Sequence, residues 1–399
     1  MKVLIIGGGV GGPVLALALQ RAGMDSELYE ARDAAGLERG SWLNFQANGM
    51  DALRSIGAAG PLEDAGYEVD TISFVNGKGH SLGKLPMAAN RRDGLTSRMI
   101  SRETLSRGIL DLAMAGGVKI QLDRRFVAAR YESGQIIASF EDGSEASGDI
   151  LVGADGTWSR VRTLIDQTAA RPRYVPVLNI GGYIPGLTVD VPPKEFRMQF
   201  GTRCFFGWMP TPDGGTVWFA NPPRRAEPER GELDAVSDGQ WRAQLHKLMA
   251  GDAGPAHEII DAAQAPLGGW ATYDLPSVRR WHDGRGMVLI GDAAHAVAPS
   301  AGQGASMALE DAVELARCLR DAPSVKAAFV GFESLRRERT RRIVAHGHRS
   351  SSEKAAGPIA RVIRDALLPH IFRRAARDGG ESMMWLQGHH IDFEQPVSF

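Results

Sequence analysis

The residues best placed to do chemistry in this chain sit at glycine-rich junctions and at the acidic positions beside them. Gly7, Gly9 and Gly12 give the spacing G-x-G-x-x-G directly after the apolar run Val3-Leu4-Ile5-Ile6. Such glycines let a pyrophosphate approach the backbone at a helix N-terminus, where N–H groups and the helix dipole favour negative charge. Glu30 ends a second strand, Ser26 to Tyr29, about 20 residues on, where a carboxylate accepts from a ribose hydroxyl. The spacing points to an adenine dinucleotide and does not by itself separate NAD from FAD. Asp155 follows Ile150-Leu151-Val152-Gly153-Ala154, and Asp292 follows Met287-Val288-Leu289-Ile290-Gly291. An acidic residue after a strand is most often a helix cap. Three of them at three strand ends match the rim of the ligand crevice in an open α/β sheet. After Asp292 comes Pro299-Ser300-Ala301-Gly302-Gln303-Gly304, then Ala305, Leu309, Ala312, Ala316 and Leu319 at helical spacing. This strand–loop–helix junction, residues 286–311, suits a flat ligand resting on backbone and on a helix start.

The elements that must position these groups follow from periodicity. A helix begins near Pro13, which has no N–H to lose in a first turn. A short helix carries Asn48, Ala52, Leu53 and Ile56. Residues 70–85 alternate like strands around a turn at Gly77-Lys78-Gly79, and Ser101 is placed to cap a helix whose first turn holds Arg102. Runs at 118–122, 126–131, 136–140 and 145–147 read as one small antiparallel meander. Aromatics then gather over 171–270, and Phe196, Met198 and Phe200 alternate with Arg197 and Gln199, which marks a second sheet with one apolar face. Gln46, Arg203, Phe206 and Trp208 are the expected pocket residues, with Arg203 meeting a substrate anion. A helix over 325–344 carries Arg336, Arg337, Arg339, Arg341 and Arg342 interleaved with Glu333 and Glu338, a pattern that reads as a solvated face with local ion pairs. Another helix is expected over 359–368.

Composition bounds the function. A chain of 399 residues is long enough for two domains, and its net charge of -1 gives no reason to expect a nucleic-acid or anionic-membrane partner. Cys204 and Cys318 have no metal or CxxC spacing, and Cys318 reads as a core residue. His389 and His390 are adjacent and do not make a metal site, so no metal is expected. No apolar run reaches spanning length and the first one is too short for a signal peptide, so a cytoplasmic protein is expected.

Three motifs together resemble the single-component FAD-dependent aromatic hydroxylases, the para-hydroxybenzoate hydroxylase-like flavoprotein monooxygenases: GGGVGG at 7–12 with Glu30, GADGTWSRVR at 153–162, and GDAAHAVAPSAGQGASMALEDA at 291–312. The resemblance implies an α/β fold: a Rossmann-like FAD-binding domain from 1–74, 95–170 and 270–350, a mixed β-sheet substrate domain from 75–94 and 171–269, and a C-terminal helical segment over 351–399. It implies that Gly7, Gly9 and Gly12 hold the FAD pyrophosphate and Glu30 the adenosine ribose. Arg102 would lie near the pyrophosphate and ribityl chain, with the backbone at Val127 against adenine. Asp155 would serve both FAD and the pyridine nucleotide, Asp292 the ribityl chain, and Pro299, Gly302, Gly304 and Ala305 the flavin ring. Where the family often has a basic residue after Glu30, this chain has Ala31 followed by Arg32. The implied activity uses NAD(P)H and O2 to hydroxylate or epoxidise an aromatic, phenolic or polycyclic small molecule through a flavin C4a-hydroperoxide. No nucleophile triad is then needed, and His295 reads as structural. A dehydrogenase or reductase of the same fold is the alternative, and a non-catalytic flavin carrier a more distant one. The protein is expected to act as a monomer or homodimer.

Overall fold

The computed structural model describes the chain except residues 34–40, 88–90, 92, 265, 355–357 and 378–380. Its first sheet is parallel throughout, in the order Met287–Leu289, Ile150–Gly153, Lys2–Ile6, Asp25–Tyr29, Lys119–Gln121. Strands buried on both faces read as unbroken apolar runs, which is why four-residue stretches such as Leu4-Ile5 with their neighbours carry the signal. Because all five run the same way, Gly7, Glu30, Asp155 and Asp292 emerge at one edge of the sheet. The strand order reverses at Lys2–Ile6, which opens the crevice there. Helices Gly11–Arg21 and Gly304–Asp321 pack together over this sheet and share its core.

The expected four-stranded meander is corrected. Lys119–Gln121 pairs parallel with Asp25–Tyr29, because helix Arg102–Ala115 precedes it and returns the chain to the same end of the sheet. Phe126–Glu132, Gln135–Phe140 and Glu145–Gly148 alone form the antiparallel sheet.

A second, seven-stranded sheet runs Trp270–Asp274, Arg173–Ile184, Thr216–Asn221, Phe205–Pro210, Glu195–Phe200, Thr71–Asn76, Ser81–Pro86. It is mixed, because Glu195–Phe200 pairs parallel with Thr71–Asn76 while its other neighbour is antiparallel. Trp270–Asp274, which the sequence assigned to the dinucleotide unit, pairs here with Arg173–Ile184. One face of this sheet packs on helices Asp238–Met249 and Ala256–Ala262 through Phe206, Trp208, Trp241, Leu245 and Ile259. The other face looks across a cavity toward the parallel strand ends.

After the long helix Val325–Lys354 and the helix Pro358–Arg377, the chain returns to the first sheet. Ile391 and Phe393 enter its core, the Ile391 N–H donates to Asp51 at 3.0 Å, and the Arg320 guanidinium lies 4.9 Å from the centre of the Phe393 ring.

Candidate active site

A cavity of about 1740 Å³ lies between the parallel strand ends and the seven-stranded sheet. Pockets for single small ligands measure roughly 300–1,000 Å³, so this space has room for a dinucleotide and a second molecule together.

The polar end is shaped by backbone. Gly7 has φ +115°, and a Cβ there would lie 2.3 Å from the Ala154 carbonyl oxygen. A Cβ on Gly12 would lie 2.0 Å from the carbonyl oxygen of Gly7, whereas one on Gly9 would meet nothing within 4 Å. Gly7 and Gly12 are therefore required by the close approach of strand and helix, and Gly9 leaves the wall open to a ligand. Gly7, Gly9, Glu30, Arg102, Asp155 and Asp292 all line the cavity, and Gly12 stands behind them. The Glu30 carboxylate accepts from the Gly8 N–H at 2.6 Å and from the Arg32 N–H and Nε at 3.0 and 2.8 Å. Arg32 thus pairs with Glu30, and both Ala31 and Arg32 line the cavity.

Asp155 accepts at Oδ2 from the N–H groups of Arg160 and Val161, at 2.7 and 3.1 Å, so it does hold a helix start. Its other oxygen is buried with no protein partner among the described residues, and burial pushes the carboxyl above its ordinary range. No hydrogen-bond donor among the described residues reaches Asp292. Burial raises this carboxyl against the opposing pull of Arg102 and His295. Asn44 Oδ1 and Gln46 Oε1, on the same cavity, are likewise buried acceptors without a partner. Buried acceptors ordinarily have a donor, and a ligand rich in hydroxyl and N–H groups supplies several at once. The residues present fit FAD.

Pro299–Ala301 form one turn of 3₁₀ helix, Gly302 follows at φ +61°, and Gly304 opens the helix Gly304–Asp321. Pro299, Gly302, Gly304 and Ala305 line the cavity, and Gln46 faces the loop, 3.0 Å from where a Gly302 Cβ would stand. Val127 is not on the wall. The strand turns away at its start, leaving Arg124, Arg125 and Phe126 to line the cavity.

The junction is anchored from behind by buried charge. Asp311 accepts from the Gly291 N–H at 2.8 Å, from His295 Nε2, and from Arg336 Nε at 2.7 Å. Glu310 accepts from Asn48 Nδ2 at 2.6 Å and pairs with Arg336 at 2.6 Å and Arg339 at 2.8 Å, while Asn48 also donates to Gln303 at 2.9 Å. Burial opposes ionisation of both acids. The charges of Arg336 and Arg339 on Glu310, and of His295 and Arg336 on Asp311, outweigh it and hold both well below the ordinary carboxylate range. His295 is therefore a structural partner of Asp311 and is not among the residues lining the cavity. The solvated-face reading of the arginine-rich helix holds for Arg337 with Glu333 and Arg341 with Glu338. It fails for Arg336, only 1% exposed, because its acidic partners come from another helix.

The far end of the cavity is apolar: Phe74, Phe196, Phe200, Phe205, Phe219 and Phe372 are on its wall. Three expected pocket residues are corrected. Phe206 and Trp208 belong to the core on the opposite face of the sheet, because successive residues of strand Phe205–Pro210 point to opposite sides. Arg203 lies in an exposed turn and donates to the Ala250 carbonyl at 2.6 Å. Gln46 alone of the four lines the cavity. Periodicity signalled the right strands, since Phe196, Met198 and Phe200 do line it, but not which face of their neighbour.

Comparison with known proteins agrees with this geometry. Residues 1–347 match the family of FAD binding domains. The chain is 31% identical over 351 residues, 88% of each chain, to the aurachin C monooxygenase/isomerase of Stigmatella aurantiaca. It is 28% identical over 348 residues, 86% of this chain and 88% of the other, to a FAD-dependent urate hydroxylase of Klebsiella pneumoniae. The crystal structure of Klebsiella pneumoniae HpxO complexed with FAD and uric acid superposes with a TM-score of 0.86 at 25% identity, covering 97% of each chain. The family match takes in every strand end and loop that walls the polar side of the cavity, and this chain belongs to the single-component FAD-dependent monooxygenases.

Proposed function

We propose that the enzyme uses NAD(P)H and O2 to oxygenate an electron-rich, largely apolar aromatic or polycyclic molecule in the cytoplasm. The observation that carries this reading is the phenylalanine-lined far end of the cavity. Of the substrates named for its relatives, aurachin C suits such walls better than urate, whose polar edge needs paired hydrogen-bonding groups.

Bound FAD supplies the redox chemistry, receiving reducing equivalents from NAD(P)H and activating dioxygen. The chain's own part is binding, orientation and electrostatics. Gly7 and Gly9 would hold the pyrophosphate, with Gly12 behind them letting strand and helix close together; Glu30 would hold the ribose and Asp292 the ribityl hydroxyls, with Arg102 adding positive charge beside them. Backbone N–H groups at 302–305 and the positive end of helix Gly304–Asp321 favour negative charge on the flavin ring. Gln46 and Asn44 offer unpaired acceptors to orient a hydroxyl or N–H, and the apolar walls exclude water from the reacting carbon.

A panel of phenols, quinolones, polycyclic aromatics and urate, scored for stimulated NAD(P)H oxidation, peroxide release and ¹⁸O₂ incorporation, tests the proposal. Label should enter an apolar ring compound with little peroxide. Coupled turnover confined to urate would overturn the apolar assignment. Steady oxidation of NAD(P)H that never labels a product would favour a reductase.

A further inference from the structure

The helix Pro358–Arg377 roofs the apolar chamber and leaves an apolar face uncovered. Its inner side carries Leu368 and Phe372, both buried and both on the chamber wall, with Phe372 stacked on Phe74 at 4.5 Å between ring centres. Its outer side carries Val362, Ile363, Leu367 and Ile371, exposed by 71, 54, 56 and 57%. Twelve large apolar side chains are strongly exposed among the described residues, and these four fall within one short stretch of helix. Scattered exposure of that kind is ordinary, but clustering marks a contact surface. At about 100° per residue all four fall within one half of the circumference. The same half carries His370, Arg373, Arg374 and Arg377 toward the C-terminal end. The helix has a single acid, Asp365, and it is occupied: Arg364 pairs with it at 2.7 Å and lies over the Phe200 ring.

We propose that this outer face docks the enzyme on an anionic lipid surface. Val362, Ile363 and Leu367 would sit in the headgroup–acyl boundary, and Arg373, Arg374 and Arg377 on lipid phosphates. Continuity with the chamber gives the docking its purpose. Ile371 and Arg374 are on both the outer face and the chamber wall, so one layer of side chains separates a bilayer from the apolar site. This part rests on the apolar-substrate reading above: a molecule suited to those walls dissolves in membrane and would be drawn from it past this helix. A second copy of the chain complements the face poorly. Parallel helices would set arginine against arginine, and antiparallel ones would bury guanidinium groups on Val362 and Ile363 without acceptors. No helix among the described residues is long and apolar enough to cross a membrane, so the contact is superficial. The net charge of -1 hides the patch because the cations are local.

Sedimentation of the FAD-loaded full chain with phosphatidylcholine vesicles, with and without phosphatidylglycerol, tests the docking without any substrate. Binding should appear with the anionic vesicles and weaken with salt. Each arginine near such a surface is worth about fivefold in partition, so Arg373→Glu/Arg377→Glu should reduce binding by well over tenfold. Ile363→Ser/Leu367→Ser should abolish what salt leaves, and both variants should retain flavin and turnover of a detergent-solubilised substrate. Equal sedimentation with and without anionic lipid would overturn the proposal. So would a concentration-dependent dimer, in analytical ultracentrifugation, that Ile363→Ser/Leu367→Ser abolishes. Binding to vesicles by an enzyme that turns over only water-soluble compounds would sink the apolar-substrate reading and leave the docking standing.

Discussion

The two ends of the cavity are built by opposite means. At the polar end the ligand meets backbone, and the precision comes from missing side chains and from buried ion pairs behind the loop. At the apolar end it meets side chains, and the shape comes from ring packing on one face of a sheet. The first kind of wall tolerates almost no substitution, because a single Cβ either displaces a strand or a helix or takes up ligand space. The second can be re-cut one residue at a time, so one cofactor site can serve many substrates.

The strongest way to probe that contrast is a matched pair of glycine replacements. Gly12→Val drives its Cβ into the Gly7 carbonyl and should yield no folded, flavin-loaded protein. A Cβ at Gly304 meets only Val297 at 3.6 Å and Asp292 at 3.8 Å, so Gly304→Val should fold. It should lose yellow colour on gel filtration, because the added groups occupy ligand space. Wild-type flavin retention by Gly304→Val would remove the loop from the flavin site.

A second pair sets a buried charge behind the polar end against a core ring behind the sheet that walls the apolar end. Arg336→Met removes the cation shared by Glu310 and Asp311, leaving the two buried acids to Arg339 and His295, at a cost of about 3–5 kcal/mol. Phe206→Ala empties a packed site and costs a similar amount, about 3–5 kcal/mol. Urea unfolding should find both equally unstable, while only Arg336→Met should release flavin under native conditions. Equal flavin loss from the two would erase the distinction between the ends.

Smaller effects follow. Asp292→Asn removes the charge from a group with no protein partner, so folding should be unchanged while FAD affinity falls about tenfold, one charged hydrogen bond's worth, by fluorescence titration. His389 is held down to about 4 by burial, with Arg336 and Arg339 adding to the shift. Between its ordinary value of 6.5 and about 4, the unfolded chain takes up a proton that the folded one refuses. That contribution to stability is complete above the window and lost as pH falls through it. Melting temperatures of His389→Gln should therefore decline less steeply over that range than those of the wild type.

The same contrast explains what the sequence revealed. The motifs of the polar end were legible because a backbone-lined wall admits few residue types: glycine at 7 and 12 is forced by close approach, and an acid stands at each strand end. The substrate wall was legible only to within one residue. Phe205 lines the chamber and Phe206 the opposite core, yet both are buried, so alternation gives no cue to which face holds the ligand. The arginine-rich helix misled for a different reason. Local spacing shows Glu333 and Glu338, but Arg336 answers to acids on a separate helix, and no periodicity within one element reports a partner in another. Cys318 was read correctly as a core residue: it is fully buried, and burial pushes its thiol up to about 12.

The central sheet has a consequence for biosynthesis. Its middle strand, Lys2–Ile6, precedes in the chain every strand it joins: its neighbours are Ile150–Gly153 and Asp25–Tyr29, its far edge is Met287–Leu289, and Ile391 and Phe393 seal the same core. An apolar strand made before its partners must wait, unpaired on one side, while the intervening segments emerge. Pairings this distant close slowly and leave sticky edges exposed meanwhile. Cells should therefore need holding chaperones to produce this protein in quantity, and slowing translation should help less here than in proteins whose domains are completed in order.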